Sequence, residues 1–209
     1  MYIFIVIAGL ALLVTIISCF VFRRFSLPCP VWLGWMVELD NPFTKTNRAA
    51  VIIEYLDIQP GMAVMDVGCG PGRLTIPAAR QVGEEGRVMA VDIQSGMLDR
   101  VRVKAKAAHL DNIQFLNAGV GEDKLGKNEF DRALLVTVLG EIPDREAAMK
   151  EIYGALKPGG LLSVTEVIFD PHFQRRQTVT RLAKAAGFCE KAFYGNAVAY
   201  TMHFEKPVE

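Results

Sequence analysis

The sequence predicts an α/β fold, a parallel sheet with helices packed on both of its faces, and three observations carry that expectation. Strand-like and helix-like segments alternate from Asn47 to the C-terminal end. Several of the strand segments are continuously apolar, the pattern of strands buried from both sides. One of them, Ala63 to Val67, runs directly into a glycine-rich turn that opens a helix. With 209 residues, of which 51% are hydrophobic, the chain can bury one core and carry a short appendage.

The appendage comes first. Met1 to Phe22 contains no charged residue. At ~1.5 Å per residue it spans roughly 33 Å, enough to cross a hydrocarbon core. It lacks the basic leading segment and the small-x-small cleavage site of a secretory signal, so residues 1–24 are expected to form a single-pass membrane anchor. Arg23 and Arg24 follow the span, and the positive-inside rule then places the rest of the chain in the cytoplasm. Cys19, Cys29, Cys69 and Cys189 are scattered without metal-ligand spacing and read as free thiols, in keeping with a reducing compartment, and no metal centre is expected. Residues 25–46 read as a linker or lid. In it Pro28 and Pro30 stop a helix and Trp32 and Trp35 share one helical face, while Asn41-Pro42-Phe43 sits just before the domain, where analogy with similar chains whose N-terminal segment closes the site implies a lid. That tryptophan face either lies among lipid headgroups or caps the domain core.

Residues 47–209 carry the domain. Helices are expected near Arg48 to Leu56, Leu74 to Val82, Met97 to His109 and Arg145 to Leu156, and strands at Ala63 to Val67, Val88 to Asp92, Ile113 to Leu116, Ala133 to Val138 and Leu161 to Val167. Asp170-Pro171 reads as an N-cap and first-turn proline opening a further helix that Gly187 closes. Phe188 to Tyr194 and Val198 to Phe204, separated by Gly195-Asn196, read as a hairpin. Lys+Arg and Asp+Glu each total 23, so no overall basic field draws the chain to nucleic acid.

Chemistry concentrates at the first strand. Gly68, Gly70 and Gly72 let the backbone turn tightly and approach a ligand, and the following helix N-terminus offers free N–H groups. Asp92 ends the next strand, about 20 residues on, where a carboxylate can accept from both hydroxyls of a ribose. The third glycine comes one residue earlier than in a nicotinamide-binding turn, and Asp66 beside it would attract a cationic amino group and repel a pyrophosphate.

The segments DVGCGPG, VDIQSGML and LKPGGLLSVTE resemble the motifs of class I S-adenosylmethionine-dependent methyltransferases, nearest the ubiquinone/menaquinone C-methyltransferase-like group. The resemblance covers about three quarters of the chain, from Asn47 onward. It implies a Rossmann-like sheet of seven strands in the order 3-2-1-4-5-7-6, with the last strand antiparallel. It also implies S-adenosylmethionine as cofactor, with Asp66, Gly68, Cys69, Gly70 and Gly72 at its methionine end, Asp92 at the ribose, and Ile93 and Met97 near adenine. Where relatives carry Gly-Asp-Ala after the third strand, this chain has Asn117-Ala118-Gly119-Val120, so backbone atoms of Gly119 and Val120 are expected to meet adenine.

Glu141 replaces a frequent His after the fourth strand and is either an acceptor contact or proton-removing group, or a solvated loop acid. Glu166, at the carboxyl edge of the fifth strand, either faces substrate or forms a buried ion pair. His172 is a candidate base or a satisfied surface residue, and Tyr194 and Tyr200 line the acceptor pocket or belong to the core. The activity expected is methyl transfer to a small lipophilic acceptor such as a quinone precursor, phospholipid headgroup, thiol or phenol. A non-catalytic cofactor-binding scaffold or sensor and a nicotinamide-dependent oxidoreductase are the alternatives.

Overall fold

The computed structural model describes residues 28–40 and 44–208. The expected anchor, with Cys19, Arg23 and Arg24, and the expected Asn41-Pro42-Phe43 lid lie outside the described residues. Among the described residues no helix is long and apolar enough to cross a membrane.

Seven strands form one sheet in the order β3-β2-β1-β4-β5-β7-β6. They are β1 Ala63–Val67, β2 Arg87–Asp92, β3 Ile113–Asn117, β4 Phe130–Val136, β5 Leu156–Val167, β6 Cys189–Gly195 and β7 Ala199–Glu205. β1 pairs in parallel with β2 and β4, β2 with β3, and β4 with β5. β7 runs antiparallel to both β5 and β6, as the resemblance implied.

The helices are α1 Gly34–Glu38, α2 Ala49–Leu56, α3 Thr75–Val82, α4 Ser95–Ala107, α5 Arg145–Ala155 and α6 Arg176–Ala186. Alternate residues of the central strands feed two cores. Met65 and Val67 of β1, Leu135 of β4 and Met202 of β7 pack with Met149 and Ile152 of α5 and Leu182 of α6. Val64, Val88, Ala90 and Leu134 pack with Ile52 of α2, Ala78 of α3 and Leu98 of α4 on the other face. This double burial is why β1 is apolar at nearly every position, and it fixes the register, since a one-residue slip would exchange the two faces.

Some expected boundaries move, each for a local reason. Asp170-Pro171 does not open the last helix: the Asp170 carboxylate accepts from the His172 N–H at 2.7 Å, closing a turn, and α6 begins only after Arg175. Gly187, at φ 108, ends α6 as expected. His109, at φ 51, lies outside α4 instead of ending it. β4 starts three residues early at Phe130 and stops at Val136, because Thr137 takes φ 54. Leu156 opens β5 instead of closing α5. Trp32 and Trp35 do not cap the core: they are 71% and 55% exposed.

Candidate active site

The glycine turn follows β1 because its backbone conformation excludes most side chains. Gly68, Gly70 and Gly72 have φ of 66, 52 and 88, all left-handed. At Gly68 a Cβ would stand 2.5 Å from Cγ2 of Val138, whereas around Gly70 nothing lies within 4 Å, so this face of the turn is open to a ligand. The N–H groups of Gly68 and Cys69 both donate to the Val91 carbonyl, at 2.8 and 3.0 Å, and tie the turn to β2. The Cys69 side chain packs in the core beside α3 and α4, so only its backbone belongs to the turn.

Asp92 joins the turn from the end of β2. One carboxylate oxygen accepts from the Gly70 N–H at 2.9 Å and the other from the Gln94 N–H at 2.8 Å. That fixes the group while leaving each oxygen further acceptor capacity for a hydroxyl. Asp66 is buried and accepts from the Thr75 hydroxyl at 2.6 Å. Burial pushes its carboxyl up to about 6, the Thr75 hydrogen bond opposing this and the Asp92 charge adding to it.

Beyond Asp92, Ile93 is 60% exposed and presents an apolar face at the rim, while Met97 is buried against Gly34, the first residue of α1. Gly119 and Val120 follow β3 on the same edge, the Val120 side chain packing against the core. The residue missed is Asn117. It pairs with Asp92 across β2 and β3, and its amide nitrogen donates to the carbonyls of Asp92 and Ile93 at 2.8 and 2.9 Å, leaving the amide oxygen as an acceptor at that rim. The signal lies in the sequence, where Asn117-Ala118 stands at the end of the third strand, in the place of the Asp-Ala pair in the chains it resembles.

Residues 28–40 form a strap over this rim, fastened by the same residues that build it. Gln94 Nε2 donates to the Cys29 carbonyl at 2.8 Å, and Lys104 bridges Glu38, at 2.7 Å, and the Pro71 carbonyl, at 2.8 Å. Arg73 reaches Asp40 at 3.0 Å and the Asn47 carbonyl at 2.9 Å. Val31 lies against Gly96, where a Cβ would be 3.1 Å from Cγ1 of Val31.

A second cluster assembles across the carboxyl edges of β4 and β5. The Cys29 N–H donates to the Glu141 carboxylate, carrying the strap from one cluster to the other. His172 Nδ1 lies 3.7 Å from Glu141 Oε1 and 3.8 Å from Asp170 Oδ1, so one imidazole faces two carboxylates. Burial, reinforced by the charges of Asp170 and Asp92, raises Glu141 to about 8. Glu166, 1% exposed, accepts from the Gln174 N–H at 2.9 Å through Oε2, and its Oε1 has no hydrogen-bond partner. Burial likewise raises its carboxyl to about 8. The expected ion-pair alternative for Glu166 is therefore absent at hydrogen-bonding range among the described residues.

Tyr200 and Tyr194 part company. The Tyr200 hydroxyl donates to the Gln174 carbonyl at 2.5 Å, bracing the Glu166 loop from below. Tyr194 stacks on Tyr55 with ring centroids 4.1 Å apart and meets His203 on the other face of the sheet, so it does not line the acceptor side. Between the clusters Thr137 holds a left-handed φ of 54, an unfavourable conformation for a β-branched residue, costing ~1–3 kcal/mol and typical of functional edges.

These residues fit S-adenosylmethionine better than a dinucleotide. Asp92 suits ribose hydroxyls, and Asp66 beside the turn suits an ammonium group. The two cations nearest the turn, Arg73 and Lys104, are committed to Asp40, Asn47, Glu38 and a carbonyl rather than offered to a pyrophosphate.

Residues 64–160 match the methyltransferase domain family. The demethylmenaquinone methyltransferase of Listeria welshimeri is 33% identical over 111 residues, covering 53% of this chain and 47% of that protein. The chain thus aligns with about half the length of such curated relatives. A SAM-dependent methyltransferase from Aquifex aeolicus superposes with a TM-score of 0.75 at 18% identity, over 86% of this chain and all 100% of that one. Phosphoethanolamine N-methyltransferase 2 of Haemonchus contortus, solved with phosphomonomethylethanolamine and S-adenosylhomocysteine, gives 0.68 at 15% identity, over 85% and 57%. The stretch that matches the methyltransferase domain family, residues 64–160, is the stretch that carries the glycine turn and Asp92.

Proposed function

We propose that the chain transfers the methyl group of S-adenosylmethionine to a small acceptor that partitions into a membrane, a quinone precursor first among phospholipid headgroups, thiols and phenols. The observation that carries this reading is the pairing of two clusters under one strap: a cradle of glycines and Asp92 for the cofactor, and Glu141, His172 and Glu166 beside it. Similarity to demethylmenaquinone methyltransferases supports the quinone class. Residues 1–24 anchor the chain in this reading, with the domain on the cytoplasmic side that Arg23 and Arg24 favour.

The bound cofactor supplies an electrophilic methyl on a positively charged sulfur with a good leaving group. The protein's work is alignment and water exclusion. Asp92 and Asn117 hold the nucleoside end, and Asp66 with Thr75 the amino-acid end. Glu141 or His172 takes the proton of a phenolic acceptor, and a carboxyl held near 8 is close to the working pH of such a base.

The test is the full chain in detergent with methyl-labelled S-adenosylmethionine and a reduced naphthoquinone lacking its ring methyl. Label in the extracted quinone is the expected result. Label entering added phosphatidylethanolamine instead would replace the acceptor, and no label in either would contradict the reading.

A further inference from the structure

Two exposed apolar patches flank the mouth at which Glu141 and His172 sit. On the strap, Trp32, Trp35, Met36 and Leu39 are 71%, 55%, 54% and 64% exposed. On the turn after β5, Ile168 and Phe169 are 50% and 69% exposed. The Ile168 N–H donates to the Val198 carbonyl at 2.8 Å, so the β6–β7 hairpin, with its exposed Val198, extends the second patch. The patches meet at the mouth: Cys29, just before the strap tryptophans, has its N–H at the Glu141 carboxylate, and His172 lies 3.7 Å from Glu141 and 3.8 Å from Asp170, the neighbour of Phe169. The opposite edge of the sheet differs in kind, its loops reading Gly83-Glu84-Glu85-Gly86 and Lys127-Asn128-Glu129.

Scattered exposed hydrophobes are ordinary, but a cluster bordered by polar groups around a site mouth marks a docking face. The chain supplies the argument for its occupant. The uncharged run Met1 to Phe22 ends ten residues before Trp32, and ten residues span at most about 35 Å. Whatever receives that run keeps the strap within this reach, and tryptophan is the residue most at home at a membrane–water interface.

We propose that the rim formed by the strap and the β5–α6 turn rests on the lipid bilayer, so that the acceptor passes from the membrane directly to Glu141 and His172. This rests on the membrane reading given above and adds an orientation to it: the carboxyl edge of the sheet faces lipid and the amino edge faces water. Trp32 and Trp35 sit at headgroup depth, and Phe169 enters the interface from the far side of the mouth.

Trp32 and Trp35 are the chain's two tryptophans, so fluorescence can be moved at will. The full chain carrying Trp32→Phe and Trp35→Phe receives either Phe169→Trp or Glu84→Trp and is reconstituted into phosphatidylcholine/phosphatidylglycerol vesicles containing brominated lipid. Circular dichroism verifies the fold, and Val198→Trp replaces Phe169→Trp if that variant does not fold. The expected result is at least twofold quenching of the tryptophan placed at 169 or 198, and no quenching of the one placed at 84. Equal emission at both sites, in chains that float with the vesicles, would overturn the orientation and leave the anchor standing. Failure to float would overturn both. Calorimetry with S-adenosylhomocysteine on the same chains reports separately on the cofactor site.

Discussion

The two halves of the site are built in opposite ways. The cofactor half is local: β1, the glycine turn, the end of β2 and the first turn of α4 lie within one continuous stretch, and backbone hydrogen bonds such as Gly70 N–H to Asp92 fix it. The acceptor half is assembled from Cys29, Glu141 and the pair Glu166 and His172, residues from three separate segments that meet only in the folded chain. The first half is held by geometry that only glycine permits, and the second gathers carboxyls that burial disfavours as ions. A rigid cradle for a common cofactor beside a charged, adaptable mouth is how one fold serves many acceptors.

The largest expected effect breaks the rigid half. Gly68→Ala places a methyl 2.5 Å from Val138 at a left-handed φ of 66, so stability falls by about 3 kcal/mol or more and cofactor binding is lost. Gly70→Ala, with open space around it, costs only ~1–2 kcal/mol of stability through its φ of 52. Denaturant melts of the two variants side by side measure the difference, and equal losses would show that the close approach at Gly68 is unimportant.

The second prediction concerns the acceptor half and pH. Burial raises the Glu166 carboxyl to about 8, against ~4.3 in an unfolded chain, so between these values the folded state binds a proton that the unfolded state has released. The stability this gives is fully present below ~4.3 and is lost as pH rises toward about 8. Glu166→Gln should flatten that fall by roughly 2–4 kcal/mol, the slope that remains being the share of Glu141 and Asp66. A variant whose melting retains the wild-type pH slope would contradict the buried-carboxyl account.

Much of the first half was legible in the sequence because its constraints are local. Three glycines at fixed spacing, an apolar strand before them and Asp92 after the next strand state a turn, a sheet and a hydroxyl-binding carboxylate. The strand order followed from the resemblance. The second half was legible only as a set of candidates. Glu141, Glu166 and His172 could each be named from their strand ends, but no spacing reveals that the Cys29 N–H would reach Glu141, or that Gln174 would fasten Glu166. Tyr194 and Tyr200 look equivalent in a hairpin, and the sheet separates them to opposite faces by the alternation of strand residues. Asp170 read as a helix cap because Asp-Pro fits one; the turn at His172 took its carboxylate instead.

Smaller effects sharpen the division further. Glu141→Gln keeps an acceptor for the Cys29 N–H but removes the base, so kcat for a phenolic acceptor should fall at least ~10-fold while cofactor affinity holds within about twofold. A matching loss of cofactor affinity would mean that the two halves are not separable. Tyr194→Leu should cost only about 0.5–1.5 kcal/mol of stability, from lost stacking on Tyr55, with unaltered KM for the acceptor. A raised KM would return Tyr194 to the acceptor pocket.

The most direct test of the central claim is calorimetric titration of the full chain with S-adenosylhomocysteine, beside NADH and beside the Asp92→Ala variant. Micromolar binding of S-adenosylhomocysteine, none of NADH, and a loss of ~1–3 kcal/mol in Asp92→Ala from a missing charged hydrogen-bond acceptor are expected. Binding of NADH in place of S-adenosylhomocysteine, or an Asp92→Ala variant that folds and binds as tightly as the parent, would contradict that claim.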